Sequence, residues 1–231
     1  MKLLAFDTST HWLSVACGSG AMWAERAEAA GQEHSQRLLP LIDEVLAECG
    51  WRLADLDAIA FGAGPGSFTG VRIACSVAQG LALGADLRLL PVCSLEALAQ
   101  AAWRQARAPS VLACLDARMR EVYVAAYRRE GEGWNTAADP AVLAPDAVRL
   151  PDDTDSWFGA GDGFAVYPQL AASLHLHGHD ARIVPDARCV AELALPRVAA
   201  GEAVDAAQAL PLYVRHRVAL TTAERASGAR L

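Results

Sequence analysis

Gly62-Ala63-Gly64-Pro65-Gly66-Ser67-Phe68-Thr69-Gly70-Val71-Arg72 says more about the fold than any other run of the chain. Four glycines, a proline and two hydroxyls separate an apolar run at 56–61 from a helix-like run at 71–83. This is the order of a strand, a tight loop and a helix N-terminus. Glycine tolerates positive φ and close backbone approach. Ser67 or Thr69 offers a hydroxyl for the helix N-cap, and free amides at such a start suit an anion. No Lys-Ser or Lys-Thr follows the last glycine, and Ser67 stands where the dinucleotide fingerprint has its third glycine. Two readings stay open: an anion-binding turn, or a bare strand-to-helix joint.

Working outward, residues 2–7 read as a buried strand. Residues 11–17 and 21–28 follow around Gly18-Ser19-Gly20, a hairpin pattern. A helix is expected over 34–49, with Leu38, Leu41, Ile42, Val45 and Cys49 at helical spacing and Pro40 in the tolerant first turns. After the glycine loop and its helix come a strand at 87–92 and a helix at 94–106. Three strands, helix, strand, helix makes a mixed sheet flanked by helices. A second unit begins near Pro109. It has strand-like runs at 111–115 and 121–127, loops with short strands over 130–156, and a strand entering a glycine turn at 157–163. A helix at 164–174, a short strand at 183–184, a helix at 187–199 and an extended piece at 210–214 follow. Both halves open with an apolar strand, an Asp-centred turn and more strand, which hints at a duplicated core.

With 231 residues, 53% of them hydrophobic, the chain can bury one large core or two modest ones. Its net charge of −7 and lack of a basic run argue against a stand-alone nucleic-acid binder. The six cysteines form no C-x-x-C pair and sit in apolar runs, as buried small hydrophobes do in a reducing compartment. The first apolar run is too short for a signal peptide, and no apolar stretch reaches spanning length. The expectation is a soluble cytoplasmic protein. His175, His177 and His179 alternate as metal ligands on a strand would, but Gly178 and polar neighbours read as a loop, so no metal site is expected. No G-x-S-x-G nucleophile elbow is present.

Asp7-Thr8-Ser9-Thr10, His34-Ser35 with Leu38-Leu39-Pro40-Leu41-Ile42, the whole 62–72 loop, Leu115-Asp116-Ala117-Arg118 with Glu121-Val122-Tyr123, and Pro211-Leu212-Tyr213-Val214-Arg215 closely resemble the TsaB family. These are bacterial partner proteins in tRNA threonylcarbamoyladenosine biosynthesis. The resemblance implies an α/β, actin-like ATPase (ribonuclease-H-like) fold with two lobes, each a mixed sheet flanked by helices. It puts residues 1–106 in the N-terminal lobe, joined by the tail 210–231, and residues 107–209 in a smaller lobe. The paralogue TsaD transfers the threonylcarbamoyl group to N6 of adenosine 37 in tRNAs reading ANN codons, using a metal held by two histidines. Ser94 and Leu98 align with those ligands. Leucine cannot bind a metal and serine is a poor ligand beside imidazole, so no metal and no transferase chemistry are expected here.

The resemblance also implies a worn nucleotide cleft at Asp7, Thr8, Ser9, Gly64, Gly66, Asp116 and Gly161, with no required cofactor and at most weak ATP or ADP binding. The partners it implies are TsaD in a heterodimer, the small ATPase TsaE in a ternary complex, a second copy when alone, and tRNA mainly through TsaD; no membrane is expected. Two helices suit that docking. His34, Leu38, Leu39, Ile42 and Leu46 lie on a helix whose apolar stripe is wider than one core face needs. Arg72, Ala74, Ala78 and Ala82 lie on the next, where a small-residue ridge admits a second helix closely. The alternative is an active ATPase or small-molecule kinase of the same fold. A metallopeptidase has no His-Glu-x-x-His segment to support it.

Overall fold

A computed structural model describes residues 1–151 and 156–215. The first sheet contains β1 (Leu3–Asp7), β2 (Trp12–Ser19), β3 (Met22–Ala29), β4 (Ala58–Gly64) and β5 (Arg88–Cys93), in the order β3-β2-β1-β4-β5. β1 is antiparallel to β2 and parallel to β4. Its side chains alternate between two cores: Leu3 and Ala5 face inward, Leu4 and Phe6 outward. That burial on both faces is why the strand reads as a continuous apolar run. On the outer face lie α1 (His34–Cys49) and α2 (Phe68–Ala85). Ser67 caps α2 by accepting a hydrogen bond from the Gly70 amide.

α3 (Ser94–Ala106) leads to the second sheet, built from β6 (Ser110–Asp116), β7 (Val122–Glu130), β8 (Gly133–Leu143), β9 (Phe158–Ala160) and β10 (Gly178–Asp180). Its order, β8-β7-β6-β9-β10, repeats that of the first sheet, with the same parallel and antiparallel pairings. The duplicated core hinted at by the sequence is therefore present in the strand topology. The short α4 (Gly163–Val166) and α5 (Gln169–Ser173) pack on the outer core of this sheet.

The two sheets are joined through helices that cross over. α3 packs on β6 and β7, whereas α6 (Ala187–Ala199) packs on β1, β2, β4 and β5, and the two helices touch each other. Residues 94–102 of α3 are all buried, and its alanines let it lie between layers.

Several local expectations change. β8 is a single strand of 11 residues, with register irregularities against β7, where loops with short strands were expected. The expected 164–174 helix is two helices, separated at Tyr167-Pro168. The last strand of the second sheet is at 178–180, not 183–184. The tail beyond residue 215 lies outside the described residues. α2, with mean hydropathy 1.2, is long and apolar enough by length and composition to cross a membrane, where the sequence reading found no such stretch. Its apolarity has a local source, because one face packs against β4.

Candidate functional site

The carboxyl ends of β1, β4 and β6 open onto a cavity of about 720 Å³ between the sheets. β1, β4 and β5 run parallel, and α/β sheets bind ligands outside the carboxyl ends of such strands. Of the expected cleft residues, Ser9, Gly66 and Asp116 line the cavity, joined by His11, Ser67, Arg118 and Asp162. Asp7, Thr8, Gly64 and Gly161 do not line it; they form the layer behind.

Asp7 is buried, and its carboxylate is fully engaged. Oδ1 accepts the Ser9 amide at 2.8 Å and the Ser9 hydroxyl at 2.7 Å, and Oδ2 accepts the Ser94 hydroxyl at 3.4 Å. Burial pushes the carboxyl up to about 6, against the lowering effect of the Ser9 hydrogen bonds. Ser94 in turn accepts the Gly64 amide at 3.1 Å. Leu98 is also buried and packs on Gly161. Among the described residues, no group of three or more His, Cys, Asp or Glu side chains is arranged to hold a metal ion.

The glycine loop is shaped by close approach to β1. A Cβ at Gly62 would overlap the Asp7 carboxylate, and Cβ atoms at Gly66 and Gly70 would overlap the carbonyls of Ser9 and Thr8. Gly64 alone needs its glycine for a positive φ, +100°. The Ser67 amide donates to the Ser9 carbonyl at 2.7 Å, and the Thr8 hydroxyl to the Gly70 carbonyl at 2.7 Å. The amides of Gly64, Ser67 and Gly70 are all consumed within the chain.

Across the cleft, the Asp116 amide donates to Asp162 at 2.9 Å, and the Asp116 carboxylate accepts the Arg118 amide at 3.0 Å. Burial raises the Asp162 carboxyl above its ordinary value. Arg118, Met119 and Arg120 all have φ near +60°, a left-handed turn made without glycine. Residues 212–215 form the outer wall. The Leu212 amide donates to the Ala63 carbonyl at 2.7 Å, the Tyr213 hydroxyl accepts from Arg72 Nε at 2.9 Å, and Arg215 pairs with Glu121 at 2.5 Å. Sequence reading singled out the Pro211–Arg215 motif but gave it no contact, since its partners lie about a hundred residues away.

The expected docking residues divide sharply. Leu38, Ile42, Leu46, Ala74, Ala78 and Ala82 belong to the outer core of their own chain, so the alanine ridge faces the sheet rather than a partner. His34 is buried as well, with Nε2 3.4 Å from the Trp12 carbonyl. Only Leu39 and Arg72 are exposed. The exposed ridge of α2 lies beside the expected one, at Ser76, Gly80 and Gly84, spaced i, i+4, i+8. Open space surrounds Gly80 and Gly84, and Leu83 is 81% exposed. A groove of about 420 Å³ runs along Phe68, Arg72, Ile73, Ser76 and Val77, with Ser35 of α1 on its other side.

Comparison with known proteins agrees with this architecture. Residues 27–219 match the family model described as TsaD, tRNA N6-adenosine threonylcarbamoyltransferase. The tRNA threonylcarbamoyladenosine biosynthesis protein TsaB of Escherichia coli is 40% identical over 95% of this chain and 96% of its own length. The protein of the same name from Haemophilus influenzae is 40% identical over 94% of this chain and 95% of its own. The structure of YeaZ from Pseudomonas aeruginosa superposes with a TM-score of 0.88 at 43% identity, covering 92% of this chain and 99% of that one. With two mixed sheets of the actin-like ATPase type and this likeness along its length, the chain belongs to the TsaB family of tRNA threonylcarbamoyladenosine biosynthesis proteins.

Proposed function

We propose that this chain is a non-catalytic scaffold subunit in the synthesis of N6-threonylcarbamoyladenosine at position 37 of tRNAs reading ANN codons. It docks on TsaD in the cytoplasm, helps to recruit TsaE, and meets tRNA mainly through TsaD. Alone, it pairs with a second copy through the same face. It needs no cofactor of its own, and any ATP or ADP binding in the cleft is weak.

The observation that carries this reading is the contact between Ser94 and Asp7. The acidic residue that an active ATPase of this fold would turn toward metal-bound phosphate is here buried and satisfied by two serines. Docking is assigned to the exposed α2 face, where Gly80 and Gly84 allow close helix approach and Leu83 supplies apolar area. The test is reconstitution of tRNA modification. The chain alone gives no product, and adding it to TsaD, TsaE and the adenylate-forming enzyme restores turnover. Product formed without TsaD overturns the scaffold reading.

One observation favours the alternative ATPase or kinase. The cavity is large enough for a nucleotide and holds Asp116 and Asp162. Steady-state ATP hydrolysis above background that Asp116→Asn abolishes would establish it.

A further inference from the structure

We propose that residues 209–215 form a strap that couples the interlobe cleft to the α2 docking face. Arg72 is the shared residue, and its two Nη groups, unpaired with any carboxylate among the described residues, receive one from the docked partner. This inference rests on the docking reading above and adds its chemistry and its regulation.

The strap holds both halves of the molecule. On the first, the Ala209 carbonyl accepts from Gln79 at 3.0 Å, and the Leu212 amide donates to Ala63 at the end of β4. On the second, Arg215 reaches the left-handed turn, with Nη1 3.1 Å from Met119 Sδ and Nη2 on Glu121. Its Nε is buried without a partner among the described residues, so this end of the strap is incompletely satisfied. Between these anchors, Tyr213 is tied to Arg72 by a hydrogen bond.

Arg72 stands between the two cavities. Its guanidinium lies 3.5 Å from the centre of the Phe68 ring and 5.6 Å from that of Tyr213. Phe68 lines both the cleft and the α2 groove, Tyr213 lines the cleft, and Arg72 lines the groove. Nε is spent on Tyr213, while no carboxylate among the described residues pairs with the two Nη groups. An exposed arginine that has no carboxylate partner among the described residues, stacked on an aromatic ring at the rim of an apolar groove, fits an acidic side chain on a partner. The strap holds this arginine in one orientation, so less freedom is lost on docking. Linkage makes the effect mutual: a docked partner tightens the strap over the cleft by the same factor.

The test combines amide exchange of the 210–215 segment with the affinity for purified TsaD. Tyr213→Phe removes the tie to Arg72 but keeps the ring. Glu121→Gln loosens the far end, away from the docking face. Each is expected to speed exchange at 210–215 severalfold and to weaken TsaD binding about three- to tenfold, while core exchange stays unchanged. Saturating TsaD is expected to slow exchange at 210–215 in the unmodified chain. Arg72→Gln is expected to weaken binding at least tenfold and to flatten its salt dependence; an unchanged salt dependence overturns the carboxylate assignment. A loosened strap with unaltered TsaD affinity overturns the coupling alone, as does a strap that neither variant moves. Failure of the unmodified chain to bind TsaD removes the docking reading, and this inference with it.

Discussion

Asp7 and Asp116 end the equivalent first strands of two sheets with one topology, yet they sit in opposite environments. Asp7 is sealed behind Ser9 and Ser94, whereas Asp116 lines the cavity and pairs with Arg118 at 3.3 Å. In this chain the duplicated acidic positions have become one interior bolt and one cleft residue.

The bolt has a pH signature. Folding raises the Asp7 carboxyl from 3.8 to about 6, so the folded state favours its neutral form. The stability contributed by this group is fully present below about pH 3.8 and is lost as pH rises through about 6. A shift of this size corresponds to roughly 3 kcal/mol. Asp7→Asn retains an acceptor for Ser9 and carries no charge. Relative to the unmodified chain, it is expected to gain about 1–2 kcal/mol at pH 7 and nothing near pH 4. Urea midpoints measured across that range check this.

Glycines in one loop and one helix are predicted to differ in cost. Gly62→Ala drives a methyl group into the Asp7 carboxylate, so a loss of about 3 kcal/mol or failure to fold is expected. Gly80→Ala points into open space on an exposed helix face and is expected to gain about 0.5–1 kcal/mol. Thermal melts of the two variants settle the contrast.

The exposed α2 face proposed for docking can be separated from the core by bulk. Ala78→Trp follows from the sequence reading as an interface disruptor that leaves the monomer folded. Ala78 is in fact fully buried, so that variant is expected to destabilise the chain itself by several kcal/mol. Gly80→Trp is expected to fold normally and to abolish self-association and TsaD binding. Light scattering and a binding titration read out both. Unchanged association in Gly80→Trp would place the contact elsewhere.

Thiol reactivity follows from burial. Desolvation raises Cys17 and Cys114 to about 12 and raises Cys75, Cys93 and Cys189 above their ordinary value. Thiolate is the reactive form. Slow reaction of these five with a disulfide reagent at pH 8, and rapid reaction after unfolding, is expected.

What the sequence alone determined is local. The helices at 34–49 and 187–199 were readable to the residue, because apolar spacing is a property of a single turn and because local groups cap them. Gly50 takes the left-handed conformation at the end of the first, and the Asp186 side chain accepts the Cys189 amide at the start of the second. The glycine loop was legible for a similar reason, since its spacing records where the chain must turn. The 11 residues of β8 were not legible, because a half-buried edge strand needs no apolar alternation, only β7 beside it. Nor was the side of α2 that meets the sheet. Ala74-Ala78-Ala82 and Ser76-Gly80-Gly84 are both small-residue ridges, and only packing against β4 decides which is buried. The same holds for α3 and α6, each lying on the other half's sheet, and for Tyr213 and Arg215, whose partners are 141 and 94 residues away. Periodicity and capping act over a few residues and are written in sequence order; contacts between distant segments are fixed only when the whole chain closes on its core.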